Sequence, residues 1–212
     1  MGANKPWDRD APGRRPAGAR ERRRVLIVCE DSKSARYYFE QFKVDPKRAE
    51  VQAVGTGMNT DSLVEKAGEL MARAAKIGEP YNEVWCVFDR DSFPLQNYHR
   101  AFELIKAAGM KVAWANEAFE LWYLPHFNYH DTGISRDDYK AKLKPHFDYD
   151  KADKTIYGQV KPHQETALRN ARRLERHWQE MAEKFPERQN PSTNVHKLVE
   201  FLNELADLGS AK

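Results

Sequence analysis

Two apolar runs in this chain end in carboxylates. The first is Val25-Leu26-Ile27-Val28-Cys29, followed by Glu30-Asp31; the second is Val84-Trp85-Cys86-Val87-Phe88, followed by Asp89-Arg90-Asp91. Side chains alternate along a strand, so Asp89 and Asp91 point the same way if the extended path persists, roughly 6–7 Å apart. Carboxylates converging in a crevice are costly to bury unpaired, and a cation or a proton must let them coexist. A hard divalent ion, Mg²⁺ or Mn²⁺, takes oxygen ligands of this kind. The expected metal set is Glu30, Asp89 and Asp91, with Asp31 and Glu120 as additional candidates. Structural roles compete with each assignment. Glu30 could cap a helix, Asp91 could serve the turn before Ser92-Phe93-Pro94, and Glu120 could pair with an arginine.

These side chains need strands to carry them, and the runs supply the pattern. Short, uninterrupted, β-branched apolar runs mark strands buried on both faces of a parallel sheet, whose functional groups lie past the carboxyl ends. Strands are expected at 25–30, 50–54, 83–88 and 110–115, with helices at about 34–42, 61–77 and 97–108. Leu63, Ala67, Leu70, Met71 and Ala74 follow helical spacing, Ser62 with Glu65 resembles a capping box, and Gly78 is a helix stop. Strand–helix alternation implies right-handed βαβ units. Beyond Asn116 the pattern reads as helices only, near 117–124, 138–143, 163–185 and 194–208. The expected organisation is a basic, disordered tail over 1–24, an α/β core over 25–116 and a helical extension over 117–212 packed on it.

Charge and composition narrow the partners. Residues 1–24 hold eight Lys/Arg against three acids, leaving 27 basic and 29 acidic residues on the rest. The folded body is therefore no basic nucleic-acid binder by bulk charge, whereas the tail offers sequence-independent phosphate attraction. Mean hydropathy of −0.84, with no run approaching the ~20 apolar residues of a membrane span and no secretory h-region, predicts a cytoplasmic protein without membrane contact. Cys29 and Cys86 sit inside buried strands and read as reduced core residues. Of the seven histidines, His126 and His130 have i, i+4 spacing, but Pro125 and the Asn128-Tyr129 turn argue against one helical face, and the histidines are expected to be surface or hydrogen-bonding groups.

A Glu after one strand and an Asp-x-Asp after a later one resembles a Toprim domain, the α/β module of topoisomerases, primases and several nucleases. Asp31 stands where many such sequences have Gly, and Asp tolerates left-handed geometry better than most residues. Cys29-Glu30-Asp31-Ser32-Lys33-Ser34-Ala35-Arg36-Tyr37-Tyr38-Phe39 is similar to the opening motif of the RloB-like family. Asn116-Glu117-Ala118-Phe119-Glu120-Leu121-Trp122-Tyr123-Leu124-Pro125-His126-Phe127 resembles its Phe-Glu-Leu-Trp stretch, and Asn190-Pro191-Ser192-Thr193-Asn194-Val195-His196-Lys197-Leu198 adds a third match. The resemblance implies a metal-dependent nuclease of prokaryotic phage defence, of the abortive-infection type, with an ATPase partner. Glu30, Asp89, Asp91 and Lys33 are then the catalytic residues. The metal activates water and stabilises charge on a phosphodiester oxygen, and Lys33 offers a cation to the phosphate or is simply a solvated helix residue.

Two other readings compete. Val84–Phe93 also resembles the first motif of haloacid-dehalogenase-type phosphotransferases, where the first Asp is a nucleophile. Such folds normally begin with that strand, whereas two strand–helix units precede it here. The second alternative is a non-catalytic module that binds nucleic acid, a nucleotide or a protein through its aromatic residues.

Overall fold

Strand β1 (Arg23–Cys29) lies inside the sheet, between β2 and β3. Val25 through Cys29 are wholly buried, which requires neighbours on both edges and cover on both faces. The computed structural model describes residues 22–58, 60–90 and 95–207. Helix α1 (Ser34–Glu40) leads to β2 (Ala49–Gly55), α2 (Thr60–Lys76) to β3 (Glu83–Asp89), and α3 (Leu95–Ala107) to β4 (Lys111–Asn116). A 3-10 segment, Phe119–His126, follows, then α4 (Tyr139–Leu143), α5 (Ile156–Val160), α6 (Gln164–Glu180), β5 (Ser192–Thr193) and α7 (Val195–Asp207).

Among the described residues the sheet has the order β2-β1-β3-β4-β5. The first four strands pair in parallel and β5 runs antiparallel to β4. The chain steps outward from β1 to β2, then crosses back to place β3 on the other side of β1. Crossovers of one hand in opposite directions send their helices to opposite faces. Leu26, Val28, Cys86 and Phe88 accordingly pack with α2 and α3, through Leu63, Val64, Ala67, Tyr98, Ala101 and Ile105. Val25, Ile27, Trp85 and Val87 face α1, through Tyr38 and Phe39. That second face is completed by residues after 116, including Phe119, Trp122, Leu143, Ala167 and Leu198, in one continuous core. The α/β class with a mainly parallel, helix-flanked sheet is thus as expected.

Several local expectations are corrected. The stretch after Asn116 is not helices only, because Ser192 and Thr193 pair with Asn116 and Ala115; two polar residues carry no strand periodicity. Phe119–His126 is a 3-10 segment with Pro125 inside it and all eight residues buried. Proline cannot donate the backbone bond of a regular helix, and burial fixes the tighter winding instead. β1 opens at Arg23, so the leader gives way to sheet before residue 25, and Arg24 lies against Glu50 and Glu79. Residues 1–21 lie outside the described residues. α2 begins at Thr60, which puts Ser62 within the first turn instead of at the cap. The long helix expected over 163–185 is α6, ending at Glu180, with Ala182 in left-handed geometry (φ 55°) just beyond it. Cys29 and Cys86 are free and buried; burial pushes the Cys86 thiol up to about 12. Among the described residues no helix is long and apolar enough to cross a membrane.

Gly55 closes β2 against the turn that follows β1. A Cβ there would lie 2.5 Å from Ser32 Cα and 3.1 Å from the Asp31 carbonyl oxygen. Beside it, the Thr56 N–H donates to the Cys29 carbonyl and the Gly57 N–H to the Glu30 carbonyl, both at 2.9 Å. Gly55→Ala must shift backbone, so it is expected to destabilise by about 1–3 kcal/mol, as overpacking does. A urea midpoint that falls at unchanged slope is the check; a midpoint equal to wild type shows that the turn is not packed in this way.

Candidate active site

The sheet reverses strand order between β1 and β3, and at such a switch point a crevice opens beyond the carboxyl ends of the strands. Glu30 and Asp89 occupy those two ends. The Glu30 N–H donates to the Val87 carbonyl at 2.8 Å, and Glu30 Oε2 accepts the Asp89 N–H at 3.1 Å. Two strand ends are thereby tied together by the very carboxylate expected to act there. Asp89 continues the alternation of Trp85 and Val87 and faces the α1 side, where the sequence placed it. Asp91, the third expected ligand, lies outside the described residues.

Asp31 starts α1. Its Oδ1 accepts the Lys33 N–H at 3.0 Å and its Oδ2 the Ser34 N–H at 2.7 Å, an Asx turn that satisfies two N–H groups at the helix start. The carboxylate closes this turn, and Asp31 does not adopt the left-handed backbone anticipated for it. Lys33 is exposed at the cap position of α1. A different lysine meets the carboxylates: Lys151 Nζ lies 3.4 Å from Asp31 Oδ2.

Glu120 reaches the crevice from the 3-10 segment and is buried. Its Oε1 accepts hydroxyls from Ser34, at 2.9 Å, and from Tyr149. These hydroxyls fill the place that the sequence allowed to an arginine. Ser34 is itself buried, and its carbonyl accepts the Tyr123 hydroxyl at 3.3 Å. Ser34, Tyr149 and Lys151 are the site residues that the sequence reading passed over. Ser34 lies within the motif that opens at Cys29, but the segment 148–153 has neither periodicity nor apolar run to mark it.

The electrostatics are those of crowded negative charge. Burial, then the charges of Glu120, Glu30 and Asp31, hold the Asp89 carboxyl well above the usual carboxylate range, and Lys151 opposes them. Burial and the neighbouring Glu120 also raise the Tyr149 phenol, so it stays protonated and donates. The remote histidines serve the core: His126 is buried with Nδ1 3.0 Å from the Trp122 carbonyl, and His196 Nε2 sits 3.2 Å from Glu175 Oε2.

The donor chemistry fits a hard cation, since every group at the strand ends offers oxygen. Among the described residues, no three His, Cys, Asp or Glu side chains form a group that could hold a metal ion. Asp31 has both oxygens on backbone N–H groups and Glu120 Oε1 carries two hydroxyls. Glu30 Oε2 likewise accepts the Asp89 N–H, so Glu30, Asp31 and Glu120 all have polar partners in the fold.

A model of the family described as RloB-like protein matches residues 25–202. No curated protein matches the chain, and no solved structure does.

The raised Asp89 pKa has a defined consequence for stability. In the unfolded chain this carboxyl ionises near pH 4; in the fold it holds its proton to higher pH. The stability contributed by the protonated form is complete below the unfolded value and is lost as pH rises through the folded one. Asp89→Asn removes the charge and keeps the backbone N–H that Glu30 accepts. In chelator at about pH 7 this variant is expected to melt higher than wild type, by roughly 2–4 °C per kcal/mol relieved, with the gap vanishing near pH 4. A variant that melts lower at both pH values removes Asp89 from this account.

Proposed function

The chain belongs to the RloB-like protein family, and from that premise we propose that it is a metal-dependent phosphodiesterase that cleaves nucleic acid in prokaryotic phage defence. The observation that carries this reading is the Asp89 carboxyl, whose burial and neighbours Glu120, Glu30 and Asp31 raise its proton affinity. A crevice built this way discriminates strongly for added positive charge. Glu30 and Asp89, joined by Asp91, would hold Mg²⁺ or Mn²⁺, with Asp31 and Glu120 behind them. When bound, the ion supplies an acidic water and a charge clamp for the phosphodiester oxygen. Ser34 and the protonated Tyr149 orient Glu120, and Asp31 fixes the start of α1 beside the crevice. The proposed architecture is a Toprim-like core over 25–116 carrying the extension 117–212, acting in the cytoplasm. Because the chain beyond residue 24 carries 27 basic and 29 acidic residues, substrate delivery falls to the Arg-rich leader or to an ATPase partner.

A second reading has its own support. With no three-ligand group among the described residues, the crevice also suits a module that binds nucleic acid or a nucleotide without cutting.

Incubating the protein with DNA and RNA pools in Mg²⁺, Mn²⁺ or EDTA separates the two. Cleavage is expected with either metal and none in EDTA. Glu30→Gln and Asp89→Ala should each lower it by at least about 100-fold, the upper end of what loss of a metal's supporting partners costs. Cleavage that persists in EDTA overturns the metal mechanism, and binding of either pool without cleavage supports the second reading.

A further inference from the structure

The segment from Phe147 to Thr155 lies across the acidic crevice as a strap. At one end Phe147 is buried and Tyr149 hydrogen-bonds Glu120, with its ring beside Tyr123. At the other, the Lys154 carbonyl accepts Gln41 Nε2 from the end of α1 at 3.1 Å, and the Lys154 ammonium stands 4.8 Å from the centre of the Tyr37 ring. Between these anchors the chain is held by its own turns. Asp150 Oδ1 accepts the Ala152 N–H at 2.9 Å, the Asp150 carbonyl accepts the Asp153 N–H at 2.9 Å, and Asp153 caps Thr155. The residue this arrangement presents to the carboxylates is Lys151.

Lys151 is half-exposed while its partner Asp31 is nearly covered. The ammonium thus sits on the solvent side of the acid cluster, on a flexible stem that can swing away without disturbing either anchor. It shares Asp31 Oδ2 with the Ser34 N–H, and its charge also acts on Asp89. A divalent ion held beside Asp89 would place two positive charges near this ammonium, and like charges this close disfavour one another.

We propose that Lys151 is the resident counter-cation of the carboxylate cluster: it neutralises the crevice before metal arrives and withdraws when a divalent cation enters. This rests on the reading that the cluster takes a divalent cation, and it makes Lys151 a positioning residue for that site. Mg²⁺ affinity is then set partly by a competing side chain.

The test is Mn²⁺ binding to the full chain, followed by electron paramagnetic resonance and by melting temperature, for wild type, Lys151→Met and Lys151→Arg. Lys151→Met keeps the stem and removes the charge. It is expected to bind Mn²⁺ at least about fivefold more tightly, the lower end of ordinary site-to-site coupling. It should also melt below wild type in chelator, with the difference closing in saturating Mn²⁺. Lys151→Arg should follow wild type in both measurements. If wild type binds Mn²⁺ and Lys151→Met binds it equally or more weakly, this inference fails and the metal reading stands. If wild type binds no Mn²⁺ at all, the metal reading fails and the inference falls with it.

Discussion

The constraint on which the structure turns is the parallel pairing of β1 with β3. Their register, Cys29 beside Val87, brings Glu30, just past β1, to Asp89, the last residue of β3. Folding must therefore assemble like charges at low dielectric, where their repulsion is stronger than in water. The Glu30 side chain meets part of this cost by accepting the Asp89 N–H. Asp31 meets another part by accepting the Lys33 and Ser34 N–H groups and pairing with Lys151. At Asp89, burial and then the charges of Glu120, Glu30 and Asp31 hold the carboxyl well above the usual carboxylate range.

Everything on the α1 face supports that arrangement. Tyr38 lies edge-on to Phe39, Phe119 and Trp122, with ring centroids 5.3–6.4 Å apart, a geometry that aromatic quadrupoles favour. This cluster binds α1 to the 3-10 segment, so Ser34 and Glu120 are positioned by the same packing. A carboxylate inside an otherwise apolar segment is tolerable because two hydroxyls meet it there. Packing and site chemistry are one construction at this point.

The far edge of the sheet is closed by amides. Asn194 Oδ1 accepts the Trp114 N–H at 2.6 Å and its Nδ2 donates to the Val112 carbonyl at 3.0 Å, supplying a side-chain ladder where β5 is too short. Asn116 Nδ2 donates to the Gln189 carbonyl at 2.8 Å, fastening the end of β4 to the loop ahead of β5. An open strand edge is thereby covered within the chain, and the third motif read from the sequence, Asn190 to Leu198, acquires a structural task.

What the sequence determined by itself is local and periodic. Unbroken apolar runs at Val25–Cys29 and Val84–Phe88 could only be doubly covered strands, and the acids after them had to emerge at a sheet's carboxyl edge. The helical spacing of Leu63, Ala67 and Leu70 was equally legible, because burial imposes its period on neighbouring residues. The tertiary structure alone decided how distant segments meet. Hydroxyls, not an arginine, satisfy Glu120, since Tyr149 arrives from a strap with no periodicity of its own. Lys151, not Lys33, faces the carboxylates, since the turns around Asp150 direct it there while Lys33 points to solvent from the cap of α1. Ser192 and Thr193 became a strand because β4 left an edge to fill. Such contacts depend on where a loop is carried by packing far away in the chain, and no short stretch of sequence records that.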